Sequence, residues 1–204
     1  FKEKRLFISH NLFDINKYKF LKNVNKKYDI IMLSFLRKEK RIDFGLEVIK
    51  KIKNKIPDIK VLIIGDGPEK ENLINFSYKL KIEKNVLFKD YNCNVNNYLR
   101  ESKIYMLTSE SEGLPMTVIE SMSCGLPVVV SNINDIPDVV ENGVNGYLVK
   151  PLDIEEYSNS CIKLLNDENH QIKLGNNSKE KIKLLYENKY SYSSLKFRWE
   201  KIFS

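Results

Sequence analysis

The sequence is poor in the residues that build disulfide frameworks and protein-bound metal sites. Its 204 residues include three cysteines and two histidines, and no two cysteines have C-x-x-C spacing. Because the cysteines are odd in number and widely separated, we expect neither a disulfide framework nor a zinc site, and a reducing cytosolic setting fits best. We interpret Cys93, Cys124 and Cys161 as packing residues rather than nucleophiles, and we predict no protein-bound metal.

Long apolar runs are also missing. The longest runs, such as VLIIG and LPVVV, have the length of strands, whereas a membrane-spanning helix needs about 20 apolar residues. The first residues contain no continuous apolar segment of the kind that secretory signals have. Since the chain begins at Phe1 rather than at a Met, we expect a piece of a longer protein. A composition of 42% hydrophobic and 30% charged residues is normal for a soluble globular protein, and the length predicts one sizeable domain.

Positive charge exceeds negative charge, but no segment concentrates it. The sequence has 34 Lys and Arg residues against 27 Asp and Glu residues, a formal net charge of +7. We favour the interpretation that these charges lie on solvated helix faces. Two alternatives stay open, a peripheral contact with the anionic inner face of a membrane and a phosphate-bearing ligand. No nucleic-acid-binding motif is present, so we predict no nucleic-acid partner.

Short apolar runs alternate with helical patterns along most of the chain. A buried strand is predicted over 28–35, and an amphipathic helix over 43–55 ends before Pro57. Further strands are predicted at 60–65, 85–89, 103–108, 126–131 and 146–149, with helices at 68–82, 94–102 and 136–142. From Asp153 the pattern is helical, with a break near Gly175. This alternation predicts an α/β fold with a doubly wound, Rossmann-like parallel sheet, which binds ligands at the carboxyl ends of its strands.

A glycine-rich turn follows the second predicted strand. Gly65 and Gly67 lie between that strand and a predicted helix, where glycines allow close backbone approach and a helix N-terminus favours an anion. A dinucleotide-binding motif would have a third glycine where Lys70 stands, so we do not predict an NAD site. A plain strand-to-helix turn and a turn that touches a nucleotide are equally good interpretations.

Two glutamates flank the start of a predicted helix near Pro115. Glu112 precedes the helix and Glu120 lies inside it, and eight residues of helix span at most about 12 Å, the length of a nucleotide-sugar. A diphosphate could sit at the helix N-terminus, with sugar hydroxyls donating to a carboxylate at each end. Alternatively, both glutamates only complement the helix dipole. Helical spacing places on one face Thr117, Glu120, Ser121 and Cys124, and Gly125 is expected to end the helix.

The segment from Ser111 to Asp153 resembles the donor-binding motif of the family 4 glycosyltransferases, retaining enzymes of the GT-B fold. That motif is E-x7-E, a small-residue helix end, a G-x-P-V-V strand and a later G-x-x-G-x-L-V-x-P. The matching residues are Glu112, Glu120, Gly125, Pro127, Gly143, Gly146 and Pro151. A weaker resemblance spans nearly the whole chain. It implies one half of a GT-B fold and a glycosyltransferase activity.

The resemblance also implies roles for individual residues. Glu112 would contact the transferred sugar and Glu120 the nucleotide ribose. The remaining donor-binding positions would be Gly65, Gly113, Leu114, Pro115, Met116, Thr117, Lys89, Asp90 and Tyr91, the last three near the base. Since Pro115 has no N–H group, the amides of Met116 and Thr117 would meet the diphosphate.

One family position departs from the pattern. The family has an Arg and a Lys five residues apart on the diphosphate, and here the Lys position is Lys40 but the Arg position is Phe35. Arg37, two residues further on, is the candidate substitute. Positive charge here would stabilise the departing diphosphate, so we group Lys40, Arg37 and Glu112 as the catalytic candidates.

The resemblance implies that the chain is the C-terminal, donor-binding domain of a two-domain enzyme. We expect a linker leading into the domain at 1–27, the nucleotide-sugar-binding domain at 28–188, and a helix at 189–204 that would pack toward the absent N-terminal domain. The enzyme would move a hexose from a UDP- or GDP-sugar to a saccharide or lipid-linked acceptor in surface polysaccharide synthesis, without a metal or other cofactor. This piece alone would be inactive. A GT-B sugar-nucleotide epimerase and a non-catalytic nucleotide-binding module remain alternatives.

Overall fold

The computed structural model describes residues 15–18, 20, 24–91, 94–113, 116–186, 196 and 200. The strands are β1 (Tyr28–Leu33), β2 (Val61–Ile64), β3 (Val86–Lys89), β4 (Ser102–Leu107), β5 (Val128–Ser131) and β6 (Gly146–Val149). The α-helices are α1 (Ile42–Lys53), α2 (Lys70–Lys79), α3 (Val95–Arg100), α4 (Met116–Ser123), α5 (Ile136–Val139), α6 (Ile154–Asn166) and α7 (Glu168–Leu185). Short 3-10 helices occur at Ile15–Tyr18 and Lys38–Lys40. The predicted helix at 189–204, with Trp199 and Phe203, lies outside the described residues apart from 196 and 200.

The strands form a single parallel sheet with the order β3-β2-β1-β4-β5-β6. Each neighbouring pair is parallel, as in the register of Ile30 with Val61 and with Ile104. This is the strand order of the doubly wound nucleotide-binding fold, and the predicted fold class is confirmed. The order reverses between β1 and β4, so the loops that follow these two strands flank the crevice in which such sheets bind ligands.

The strands alternate their side chains between two apolar layers. Ile30 and Met32 of β1 pack into the layer formed with α1, α2 and α6. Ile31 and Leu33 pack into the opposite layer with α3, α4 and α5. All four side chains are at most 1% exposed. Full burial of such a side chain contributes about 1.5–3 kcal/mol, so packing on both faces holds β1 in the middle of the domain.

Helix α4 ends as the sequence predicts, and part of its predicted face is buried. Gly125 has a φ of +77°. Its N–H group bonds the Met122 carbonyl at 2.9 Å, and the Leu126 N–H group bonds the Ser121 carbonyl at 3.1 Å, which together form a Schellman motif. Ser121 and Cys124 are buried, because α7 and the Ile15–Tyr18 segment pack against α4. Of the predicted face, Thr117 and Glu120 therefore keep partly exposed side chains.

The helical break predicted near Gly175 was wrong. The chain breaks at Asp167, whose carboxylate caps α7 by accepting a hydrogen bond from the His170 N–H group at 2.9 Å. Gly175 lies inside α7, where an added Cβ would come within 2.2 Å of the Gly125 carbonyl oxygen. The glycine there marks close contact between α7 and the end of α4, rather than a helix end.

Candidate functional site

The carboxylate of Glu112 is held between a cation and a hydroxyl at the carboxyl ends of β1 and β4. The Lys40 ammonium donates to Oε2 at 2.8 Å, and the Ser109 hydroxyl donates to Oε1 at 2.6 Å. The Glu112 side chain is 11% exposed and that of Lys40 21%. Lys40 comes from the loop after β1 and Glu112 from the loop after β4. These loops meet because β1 and β4 are neighbours at the topological switch point.

Hydrogen bonds to backbone carbonyls tie these two loops together. The Thr108 hydroxyl donates to the Arg41 carbonyl at 2.9 Å and also lies 3.2 Å from that of Lys40. The Glu110 N–H group donates to the Glu39 carbonyl at 3.0 Å. From the loop after β5, the side-chain amide of Asn134 donates to the Glu112 carbonyl. The Lys40–Glu112 pair is therefore positioned by three loops rather than by its own contact alone.

The N-terminus of α4 lies beside this pair. The Thr117 hydroxyl accepts a hydrogen bond at 2.8 Å from Tyr105, a fully buried residue of β4. This bond fixes the first turn of α4 against the sheet. Gly113, before this turn, is exposed, and an added Cβ there would meet no atom within 4 Å. Leu114 and Pro115, two of the predicted donor-binding residues, lie outside the described residues.

Glu120 is a half-buried carboxylate further along α4. Its Oε1 accepts a 2.7 Å hydrogen bond from the hydroxyl of Tyr18, which lies in the short helix before β1. Burial raises the pKa of the Glu120 carboxyl, and the bond from Tyr18 opposes this rise. Burial and the neighbouring carboxylate raise the pKa of Tyr18, which therefore stays a hydrogen-bond donor at neutral pH.

The glycine turn after β2 packs closely against the loop after β1. An added Cβ on Gly65 would lie 1.8 Å from the Ser34 carbonyl oxygen, so only glycine fits there. The neighbouring Asp66 accepts from the Tyr91 N–H group at 3.1 Å. A cavity of about 470 Å³ opens at this turn, and its lining residues are Ser34, Phe35, Asp66, Tyr91 and Thr117. The cavity thus joins the glycine turn and the predicted base region to the start of α4.

The predicted residues Asp90, Lys89 and Arg37 make contacts of other kinds. Lys70, which replaces the third glycine of a dinucleotide motif, pairs with Asp66 and Asp90. The Lys89 ammonium lies 5.3 Å from the centre of the Tyr98 ring. The Arg37 guanidinium lies 4.6 Å from the centre of the Phe35 ring. It lines a second cavity of about 580 Å³ with Glu39, Arg41 and Glu69.

The sequence patterns missed four residues of this site. Ser109 and Asn134 each follow a strand at its carboxyl end, a position that could have suggested them. Asp66 lies between the two predicted glycines. Tyr18 carried no signal, since its segment lacks an apolar period.

Among the described residues no group of three or more His, Cys, Asp or Glu side chains could hold a metal ion.

Comparison with known proteins defines the class of this domain. The family described as "Glycosyl transferases group 1" matches residues 14–181. The chain therefore belongs to the group 1 glycosyltransferases. It is 33% identical over 175 residues to the N-acetyl-alpha-D-glucosaminyl L-malate synthase of Bacillus anthracis, covering 86% of this chain and 43% of that relative. The chain thus spans less than half the length of this curated relative.

Solved structures show the same fold. The first is a crystal structure of a TarM mutant from S. aureus in complex with fondaparinux, alpha-GlcNAc-glycerol and UDP. It has a TM-score of 0.88 and 27% identity, covering 100% of this chain and 40% of that one. The second is the C-terminal domain of the group 1 glycosyl transferase family protein LpcC from Francisella tularensis, with a TM-score of 0.77. At 20% identity, over 85% of this chain and 98% of that one, this likeness shows the fold alone. The fold is that of one half of a GT-B glycosyltransferase.

No helix in the described part of the chain is long and apolar enough to cross a membrane.

Proposed function

We propose that the chain is the C-terminal, nucleotide-sugar-binding domain of a retaining glycosyltransferase of family 4. The whole enzyme would move a hexose from a UDP- or GDP-sugar to a saccharide or lipid-linked acceptor in surface polysaccharide synthesis. It would act in the cytoplasm or at the inner face of the membrane, and without a cofactor besides the donor. The S. aureus structure at 27% identity was determined with UDP, which favours a UDP-sugar as the first donor to test.

The observation that carries this proposal is the Lys40–Glu112 pair beside the N-terminus of α4. A diphosphate at this N-terminus would meet the amides of Met116 and Thr117 and the positive end of the helix dipole. Lys40 would then exchange its contact with Glu112 for the diphosphate. Its charge would stabilise the negative charge that develops on the leaving group as the glycosidic bond breaks.

The two carboxylates suit the two sugars of such a donor. An ionised carboxylate only accepts hydrogen bonds, and sugars present pairs of hydroxyl donors. Glu112, beside Lys40, would accept from the transferred hexose, while Glu120 on α4 would accept from the ribose. The base would lie in the cavity between Phe35 and Tyr91, near Gly65 and Asp66.

Calorimetric titration of the chain and of the whole protein with UDP, GDP and their common sugar conjugates tests donor binding. We expect saturable binding of one nucleoside diphosphate. Substitution Glu120→Ala should weaken it by roughly tenfold or more, the effect of losing hydrogen bonds to a charged group. The matched control is Glu101→Ala, whose carboxylate is 21% exposed and pairs with Lys27 beyond the opposite end of β4. Failure of the whole protein to bind any of these nucleotides would contradict the proposal.

Product analysis with the whole protein tests the reaction class. We expect a transferred hexose whose anomeric configuration matches that of the donor. A donor isomerised without any acceptor would instead indicate an epimerase. An inverted product would exclude a retaining transferase.

A further inference from the structure

The segment before β1 reaches into the donor site. Ile15 and Tyr18 pack against the apolar layer that contains Ile119 of α4. The side-chain amide of Asn96, on α3, donates to the Lys17 carbonyl at 2.8 Å. The short helix at Ile15–Tyr18 is therefore held on both α3 and α4, which places the Tyr18 hydroxyl beside Glu120.

We propose that Tyr18 is a positioning residue for donor binding, which fixes the Glu120 carboxylate by one oxygen and leaves the other oxygen to accept from the ribose of a nucleoside diphosphate. This inference rests on the proposed function. The Tyr18 hydroxyl lies 2.7 Å from Oε1 of Glu120, across 102 residues of sequence. Among the described residues, Tyr18 is the side chain that donates a hydrogen bond to the Glu120 carboxylate.

The hydrogen bond does two things for a half-buried carboxylate. It restricts the rotation of the Glu120 side chain, so that less conformational freedom is lost when a ribose binds. It also favours the ionised form against the effect of burial, which raises the pKa of this carboxyl. Only the ionised form accepts with both oxygens, as a bond to Tyr18 together with a bond to a ribose hydroxyl requires.

A packing role for Tyr18 predicts something different. If Tyr18 only supported α4, its loss would weaken the binding of any nucleotide by the same factor. If it orients Glu120, its loss would act on the part of the affinity that depends on the ribose hydroxyls. Comparing a nucleoside diphosphate with its 2′-deoxy analogue separates these roles, because the analogue lacks one of the ribose hydroxyls that Glu120 is proposed to bind.

The test is calorimetric titration of the full chain with UDP and 2′-deoxy-UDP, or the GDP pair if GDP is the nucleotide that binds. In Tyr18→Phe, which keeps the ring, we expect the preference for the ribonucleotide to fall by roughly three- to tenfold. The control is Tyr78→Phe on α2, a tyrosine that is 61% exposed, which should leave the preference unchanged. Melting temperatures of both variants check that the fold is intact.

Each outcome decides the question. An unchanged preference in Tyr18→Phe, with binding retained, would overturn the positioning role and leave the proposed function standing. Equal weakening of the binding of both nucleotides would also overturn the positioning role, and it would assign Tyr18 to packing. Absence of binding by the unsubstituted chain would overturn this inference, and absence by the whole protein as well would overturn the proposed function with it.

Discussion

The substitution Lys40→Met tests how much the partly buried Lys40–Glu112 ion pair contributes to the free energy of unfolding. It keeps most of the side-chain volume but leaves the Glu112 carboxylate, 11% exposed, with the Ser109 hydroxyl as its remaining partner. Breaking a fully buried pair costs about 3–5 kcal/mol, and breaking an exposed pair costs about 0–1 kcal/mol. Since this pair is mostly covered but still reaches solvent, we expect Lys40→Met to lower the free energy of unfolding by about 1–3 kcal/mol.

The reverse substitution should cost less. In Glu112→Gln the Lys40 side chain, 21% exposed, can turn its ammonium toward water along its flexible stem. The double variant removes the stranded carboxylate, so it should recover part of the loss from Lys40→Met. The resulting coupling energy should be about 0.5–3 kcal/mol, the range for residues in direct contact.

Urea unfolding of the four proteins measures these quantities, provided that the slope against denaturant stays the same. Lys27→Met is the matched control, because the Lys27–Glu101 pair has a similar distance of 2.6 Å but a lysine that is 55% exposed. Its unfolding midpoint should barely move. A coupling energy near zero, or a control that shifts as much as Lys40→Met, would refute the argument from burial.

Three further predictions follow from the packing of single residues. Gly65→Ala should lower the free energy of unfolding by about 1–3 kcal/mol or more, because its Cβ would overlap a backbone carbonyl, whereas Gly113→Ala, which meets no atom, should leave thermal unfolding unchanged. Burial raises the pKa of Glu120 in the folded chain, so ionisation of this carboxyl should lower the free energy of unfolding as pH rises above its ordinary pKa of about 4.3. The stability of Glu120→Gln relative to wild type should therefore increase between acidic and neutral pH. Parallel pH profiles of the two proteins would contradict this. Burial also raises the pKa of Cys124 and Cys161 to about 12. In a Cys93→Ser variant, a thiol reagent at pH 8 should therefore react only after unfolding.

Most of the fold could be predicted from the sequence because the sheet is buried on both faces. Strands such as VLII and VVVS appear as continuous apolar runs, and each lies within a residue or two of its predicted position. The misplaced break near Gly175 has a physical reason. A glycine ends a helix in one context and allows close helix contact in another, and the sequence alone does not show which atom comes near.

The site was predictable only in part, for a related reason. Glu112 and Lys40 follow strands and Glu120 lies inside α4, so the topology and a family resemblance were enough to suggest them. The contact of Tyr18 with Glu120 spans 102 residues and comes from a segment without a periodic pattern. Ser109 and Asn134 support Glu112 through loop geometry. Contacts of this kind depend on where loops meet, which no local pattern records.

A crystal structure of the chain with UDP would test the central claim most directly. The proposal predicts the diphosphate at the N-terminus of α4, within hydrogen-bonding distance of the Thr117 amide and the Lys40 ammonium, and the ribose hydroxyls on Glu120. The Lys40–Glu112 contact should be longer than its present 2.8 Å. A nucleotide bound elsewhere on the sheet, or bound here without touching Lys40 or Glu120, would contradict the account.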